Sequence, residues 1–479
     1  MAPIESDEIL NDWKTRQSLA EKMIPVVGQL YRDQGIVIRV FGRRLMDGSK
    51  LDILKAHKFA RQMVGEELDI EQSFSMLEAL SKLKVSPARI DLGKLCHHYA
   101  ESGNGRSMHD YLQETLSDVI TDQPVDQGEP KDVVLYGFGR IGRLVARMLI
   151  DRTGGGYKMR LRAIVVRGKG GDFEKRASLL RRDSVHGPFS GSITTDEASN
   201  SIIANGNVIR LIYANSPDEV DYTQYGIDNA LIVDNTGIWK DEDGLGLHLK
   251  ARGASKVLLT APAKGEIKNI VYGVNHEEIS PEDKILCAAS CTTNAIVPVL
   301  KVINDHFGIR NGNIETVHSY TNDQNLIDNY HKAERRGRSA PLNMVLTSTG
   351  AAKAVAKALP ELAGILTGNA IRVPTPNVSM ALMSLNLNQG TSKDELNAFL
   401  RDKALNSSLQ EQIGYTSSTE LVSTDMVGSV NAGVIDSAAT IVDGDRVVLY
   451  VWYDNEAGYS SQVIRVMQDL VGLKLPDLP

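Results

Sequence analysis

Two short stretches carry side chains whose types and spacing can do chemistry. In Ser290-Cys291-Thr292-Thr293-Asn294 a thiol stands among hydroxyls and an amide, ahead of Ile296, Leu300 and Ile303 at helical spacing. A cysteine at a helix start meets free backbone N–H groups and the positive end of the helix dipole. Both favour the thiolate, so the expectation is a pKa lowered from about 8.5 into the range of nucleophilic cysteines. The competing reading is a small apolar residue at a strand end. Cys287, four residues earlier in the apolar KILCAA, reads as core. A thiol nucleophile needs a base, and His318 follows at the end of an apolar stretch in TVHSYTNDQ. The chain has ten histidines, so spacing alone does not join His318 to Cys291.

The second stretch is GFGRIGR. Gly137, Gly139 and Gly142 form GxGxxG after the apolar run Val133-Val134-Leu135-Tyr136 and before Leu144, Val145, Met148 and Leu149 at helical spacing. In that context the first glycine permits a tight turn, the second a close approach to a pyrophosphate, and the third close helix–strand packing. The helix N-terminus then offers N–H groups to the phosphates. The next apolar run, in LRAIVVRGKGG, ends in Arg167, Gly168 and Lys169. A dinucleotide-binding fold usually places an acid near there to hold the ribose hydroxyls.

Other elements must position these groups. The 479 residues suggest two to four domains at about 100–200 residues each. To about residue 120 the pattern is helical, with Leu19, Met23, Val27 and Leu30 on one face, a helix capped by Asp69, and a further helix starting at Ser86-Pro87. Cys96-His97-His98 lacks further ligands at suitable spacing and reads as a half-buried helix end, so no metal site is expected. Residues 121–130, TDQPVDQGEP, are polar and proline-containing, as a linker is. Beyond them apolar runs at 163–166, 230–233 and 256–260 alternate with helical patterns, which argues for a parallel α/β sheet. The net charge of -7 gives no basis for nucleic acid or an anionic membrane as a partner. No apolar run is long enough to span a bilayer, and three cysteines fit a reducing cytoplasm.

In chain order, GFGRIGR, ASCTTN with KVINDHFGI, HSYTNDQ, ERRGRSA, STGAAKAVAKALP, IRVPTPNVS and WYDNEAGYS together resemble the phosphorylating glyceraldehyde-3-phosphate dehydrogenases. The resemblance runs from about Lys131 onward and leaves the helical N-terminal section outside it. It implies an NAD(P)-binding Rossmann domain over 129–290, an α+β catalytic domain over 291–457 and a helix over 458–479 returning to the nucleotide domain, preceded by a mostly helical extension over 1–128. By the family pattern Cys291 attacks the aldehyde and His318 is its base. Thr321, Asp323 and Arg372 match the site for the substrate's phosphate; Ser290, Thr292, Arg336, Thr349 and Gly350 match that for inorganic phosphate. Arg140 and Ile141 join the glycines at the pyrophosphate, Asn455 matches the residue holding the nicotinamide carboxamide, and Tyr459 an aromatic beside the ring. The family is homotetrameric and serves glycolysis or gluconeogenesis.

The sequence departs from that pattern at the ribose end. Arg167 and Lys169 stand where NAD-preferring members carry an acid, and Asn329-Tyr330 replaces their usual leucine-proline. A base there suits a 2′-phosphate, so NADP or dual use is expected, with Asp172 nearby as a possible ribose partner. Ala295 replaces the family's second cysteine, which the chemistry does not need. Two further readings stand beside the leading one: an erythrose-4-phosphate dehydrogenase of the same superfamily, and a regulatory or interaction role added by the extension.

Overall fold

A computed structural model describes residues 6–102, 105–121, 129–152, 158–168, 170–348, 350–473 and 475–479. The chain divides into two compact units: Met1–Pro130 with Arg152–Lys158 and Leu473–Pro479, and Lys131–Asp151 with Met159–Gly472.

The first unit is mostly helical. Its helices are Ser6–Gln34, Lys50–Val64, Ile70–Ser81, Leu92–Ser102 and Met108–Thr115. Met23, Val27 and Leu30 are buried on the face their spacing defines. Asp69 caps its helix as expected, accepting from the Glu71 N–H at 2.9 Å. The helix expected from Ser86-Pro87 does not form there. Arg89–Asp91 is instead a strand, pairing in parallel with Val37–Val40, and the helix starts at Leu92. Asp91 explains the switch: its carboxylate accepts from the N–H groups of Phe41, Gly42 and Lys94, fastening strand, turn and helix start together. Residues beyond Gly472 form a strand, Asp477–Leu478, on the other side of Arg89–Asp91. Cys96 lies in this unit's core, where burial pushes its thiol up to about 12.

The second unit contains two large sheets. The first runs, in spatial order, Ile285–Cys287, Ala254–Leu259, Ala230–Asp234, Lys131–Tyr136, Met159–Val166, Asn207–Tyr213, Ser201–Ala204 and Ile193–Asp196. All pairs are parallel up to Asn207–Tyr213, and the last two are antiparallel. Val133, Val134 and Leu135 are fully buried, which is why this strand reads as an unbroken apolar run. From Lys131–Tyr136 the chain goes first to one side and later returns to the other. That strand is therefore the topological switch point, where such sheets bind ligands outside their carboxyl ends.

The second sheet is mixed. Ile309–Ser319 pairs in parallel with Leu366–Val373 and antiparallel with Ser379–Leu387, which pairs in turn with Arg446–Tyr453. Helix Cys291–Phe307 packs against it, and its Ile296, Leu300 and Ile303 are fully buried. The helix Ala457–Leu470 is buried along its whole length and ends seven positions before the strand Asp477–Leu478 begins. The expected terminal helix thus stops at Leu470, and residues 473–479 belong to the first unit. Among the described residues no helix is long and apolar enough to cross a membrane.

Candidate active site

Cys291 is the first residue of its helix, with Ser290 as N-cap. The Ser290 hydroxyl accepts from the Thr293 N–H at 3.1 Å and lies 2.7 Å from the Thr293 hydroxyl. Just before it, Ala289 sits at φ 54, a left-handed conformation uncommon for a residue with a side chain. The Tyr459 hydroxyl donates to the Ala289 carbonyl at 3.1 Å and so holds the strained turn that presents the thiol. Tyr459, expected beside the nicotinamide ring, also has this second task.

His318 stands near the end of Ile309–Ser319, and its Nε2 lies 3.5 Å from Cys291 Sγ. The structure thereby joins two residues that spacing could not. Its Nδ1 is 2.7 Å from the Ser319 carbonyl, which also accepts from Arg372 Nη1 at 2.9 Å. The Ser319 carbonyl favours a proton on Nδ1, which leaves the Nε2 lone pair facing the thiol, whereas Arg372 Nη1, which can only donate, favours the other tautomer. Arg372 is the register partner of His318 on the neighbouring parallel strand, which puts its Nη1 2.8 Å from Nδ1. The Thr292 hydroxyl, 2.9 Å from Tyr453 OH, is buried under the pair, and the Tyr453 ring stands edge-on to His318. Tyr453 lies in the WYDNEAGYS motif, but nothing local marked it as a neighbour of the base.

The electrostatics correct one expectation. Burial pushes the Cys291 thiol up, and it outweighs the Arg372 charge, the Thr292 N–H and hydroxyl, and the Cys291 N–H, which pull it down. The helix start does act in the expected direction, but the thiol's desolvation is larger. Burial and the Arg372 and Arg336 charges bring His318 down to about 3, against the opposing Ser319 carbonyl and Asp323. At neutral pH the resting pair is thiol and neutral imidazole.

Two residues expected at the anion sites meet at the carboxylate of a third. Asp323 accepts from the Thr321 hydroxyl and pairs with Arg336. Thr321 and Asp323 come from the set matched to substrate phosphate, and Arg336 from the set matched to inorganic phosphate. Gly350 is exposed ahead of the helix Ala351–Ala358, and Thr349 lies outside the described residues.

At the switch point, Gly137 has φ 98, and a Cβ there would come 2.8 Å from Thr236 Cγ2. A Cβ on Gly142 would meet the Gly137 carbonyl oxygen at 2.5 Å, whereas one on Gly139 would meet nothing within 4 Å. Two glycines are thus required by packing, and the third borders open space at the start of helix Arg140–Arg152, as a pyrophosphate cradle needs. Ile141 is half-buried in the first turn of that helix. The Arg140 side chain is committed elsewhere: it donates to Glu456 from Nε at 2.8 Å and pairs with Asp183. Glu456 also lies 3.1 Å from His186 Nε2. Burial pushes Asp183 up, but the His186 N–H, Arg140 and the Val185 N–H bring it down to about 2. The Thr236 turn is fixed by Asp234, which accepts from the Thr236 N–H and hydroxyl at 2.7 Å each and lies 3.0 Å from His248 Nε2. The Asn455 Oδ1 accepts from the Ser379 hydroxyl at 2.9 Å, and that hydroxyl oxygen accepts from the Ser319 N–H at 3.1 Å. One chain of bonds therefore ties the expected carboxamide-binding residue to the strand end carrying His318.

Where the ribose end is expected, Arg167 is exposed just past Met159–Val166, and Lys169 lies outside the described residues. Asp172 is occupied: it pairs with Arg176 at 2.6 Å and accepts from the Tyr213 hydroxyl at 2.8 Å. Arg176 also donates to the Arg167 carbonyl at 3.2 Å. Sequence reasoning missed Arg176, although its i,i+4 spacing from Asp172 on a helix was a signal.

The Cys291 thiol and the His318 imidazole thus lie in one unit with a glycine loop that opens a helix at the switch point of a parallel sheet. Residues 131–242 match the family described as glyceraldehyde 3-phosphate dehydrogenase, NAD binding domain, and residues 290–455 its C-terminal domain. The chain is 60% identical over 460 residues to the glyceraldehyde-3-phosphate dehydrogenase-like protein of Pseudomonas aeruginosa (strain UCBPP-PA14), covering 95% of this chain and 100% of that protein. It is 39% identical to glyceraldehyde-3-phosphate dehydrogenase of Zymomonas mobilis and 41% identical to glyceraldehyde-3-phosphate dehydrogenase 1 of Bacillus subtilis. Each of those two alignments covers 69% of this chain and 96% of the relative. The chain belongs to the glyceraldehyde-3-phosphate dehydrogenase family of oxidoreductases. The Pseudomonas alignment spans most of the N-terminal extension as well.

Proposed function

We propose that the protein oxidises glyceraldehyde 3-phosphate with uptake of inorganic phosphate, giving 1,3-bisphosphoglycerate reversibly. The observation that carries this reading is the Cys291–His318 pair at 3.5 Å beside Arg372, Arg336 and Asp323. His318 Nε2 takes the thiol proton as Sγ bonds to the aldehyde carbon, and the Cys291 N–H stabilises the oxyanion of the hemithioacetal. A bound nicotinamide dinucleotide supplies the hydride acceptor. His318 returns the thiol proton to the oxyanion, giving the hemithioacetal hydroxyl, and takes it back as the hydride leaves and the adduct is oxidised to a thioester on Cys291. Phosphate then attacks the thioester carbon, the C–S bond breaks, and the thiolate recovers its proton. Thr321, Asp323 and Arg372 serve the phosphate of the substrate; Ser290, Thr292, Arg336, Thr349 and Gly350 serve the attacking phosphate. Gly137, Gly139, Ile141 and Gly142, with the Arg140 backbone, hold the pyrophosphate, and Asn455 the carboxamide.

For the cofactor, NADP or dual use is the reading. Arg167 is exposed at the ribose end, and the nearby acid, Asp172, is engaged by Arg176 and Tyr213. The protein is further proposed to assemble as a homotetramer in the cytoplasm. Leu326, Ile327, Tyr330, Leu342, Met344 and Leu346 all project outward within one segment, as self-association would require.

Steady-state assays with each cofactor, with and without phosphate, test the proposal. Phosphate-dependent turnover of glyceraldehyde 3-phosphate with NADP is expected. Turnover of erythrose 4-phosphate alone, indifferent to phosphate, overturns the reaction; a strong NAD preference unchanged by Arg167→Ala and Lys169→Ala overturns the cofactor reading.

A further inference from the structure

The small sheet of the first unit has an edge built to receive a strand. Arg89–Asp91 pairs in parallel with Val37–Val40 on one side and with Asp477–Leu478 on the other. Asp477 lies 388 residues beyond Arg89, and the paired stretch is only two residues long. Backbone pairing of that length is weak by itself, so side chains must supply the recognition.

One further backbone bond and two sets of side-chain contacts hold the segment. The Arg89 N–H donates to the Pro476 carbonyl at 2.9 Å. The Asp477 carboxylate receives Arg89 Nη1 at 2.9 Å and Arg39 Nη1 at 3.5 Å. Leu475 packs against Tyr31 and Val37, and Leu478 packs against the main core of the unit. The two arginine side chains are 6% and 7% exposed, whereas that of Asp477 is 50% exposed. The sheet therefore holds the buried cations, and the incoming segment brings the acid. Pro476 has no N–H to leave unpaired at the edge.

We propose that this edge is a docking site for an extended leucine-proline-aspartate-leucine segment, and that residues 475–478 are its exchangeable occupant. Strand addition of this kind draws affinity from main-chain bonds and specificity from side-chain pockets and charge. The segment is a latch that fastens the extension to the end of the chain.

The test uses the full chain, a chain ending at Leu473, and a fluorescein-labelled peptide of residues 473–479. Saturable binding to the shortened chain is expected, with binding to the full chain roughly tenfold weaker or less. Asp477→Lys in the peptide, or Arg89→Gln in the shortened chain, should weaken binding roughly tenfold or more. No saturable binding to the shortened chain, or equal binding by the Asp477→Lys peptide, overturns the proposal. Hydrogen exchange on the full-length Asp477→Lys variant guards against misfolding of the shortened chain. Faster exchange of the amides of residues 89–91 supports the latch, and unchanged protection refutes it.

Discussion

Replacing Arg176 by glutamine separates the two roles that the ribose end assigns to neighbouring charges. Asp172 is held by Arg176 at 2.6 Å and by Tyr213 at 2.8 Å, and the ion pair is partly solvent-exposed. An exposed pair of this kind contributes about 0–1 kcal/mol to stability, so the variant should fold normally. A guanidinium about 4 Å from one negative charge in water gains about 1 kcal/mol, and a 2′-phosphate carries close to two charges. Losing that attraction should weaken NADP by about 1–2 kcal/mol, or roughly tenfold at 1.4 kcal/mol per decade. Freeing the Asp172 carboxylate lets it accept from ribose hydroxyls. A hydrogen bond to a charged group is worth about 1.5–3 kcal/mol, which should raise NAD use roughly tenfold. The ratio of kcat/KM for the two cofactors should therefore move toward NAD by about 100-fold. The assay is phosphate-dependent turnover of glyceraldehyde 3-phosphate with each cofactor on parent and variant. A ratio changed by less than about threefold, in a variant with the parent's melting temperature, refutes the assignment of these charges to cofactor choice.

Three further outcomes are expected. His318→Asn should lower kcat by about 10²–10⁴-fold at pH 7 with little change in cofactor KM, as loss of a general base does; a loss below about tenfold removes His318 from that role. Because burial holds the Cys291 thiol above its ordinary value, alkylation of Cys291 by iodoacetamide without cofactor should keep accelerating as pH rises past about 8.5; a plateau below pH 8 means the helix start wins over desolvation after all. Gly142→Ala forces a Cβ to within 2.5 Å of a backbone oxygen and should cost about 1–3 kcal/mol, read as a lowered Tm, whereas Gly139→Ala meets nothing and should keep the parent Tm while raising cofactor KM; equal melting temperatures for the two variants would contradict the packing role of Gly142.

The parts of the site that were legible in the sequence are those whose reason is local. The glycine loop shows because tight turns and close approach need particular residues at fixed offsets, and the strand before it shows because burial on both faces makes a continuous apolar run. Cys291 showed as a helix start because Ser290 caps within the same few residues. What stayed hidden depends on residues far apart in the chain. Ser86-Pro87 looked like a helix start until Arg89–Asp91 found Val37–Val40 as a partner. Asp172 looked available for a ribose because Tyr213, forty-one residues on, cannot be read from spacing, although Arg176 at i,i+4 was a local signal. The direction of the thiol's shift could not be read because desolvation is set by what packs over the sulfur, and that is decided by the second sheet.

The anion residues carry the same lesson into mechanism. On the family pattern they form two sets, one per phosphate, yet Asp323 from one set pairs with Arg336 from the other. Arg336 lies near enough to Arg372 to disfavour its charge, and both disfavour protonation of His318. A carboxylate bridging Thr321 and Arg336 offsets part of that repulsion before any phosphate arrives, so the cations need not splay apart in the free enzyme. The offset is incomplete, because one carboxylate faces two guanidinium groups. On the proposed mechanism the remaining positive charge attracts a phosphate, and together with burial it keeps His318 neutral, the form able to accept the thiol proton. On that mechanism one cluster would prepare both the electrostatic binding of phosphate and the protonation state of the base, through the parallel register that sets Arg372 directly beside His318.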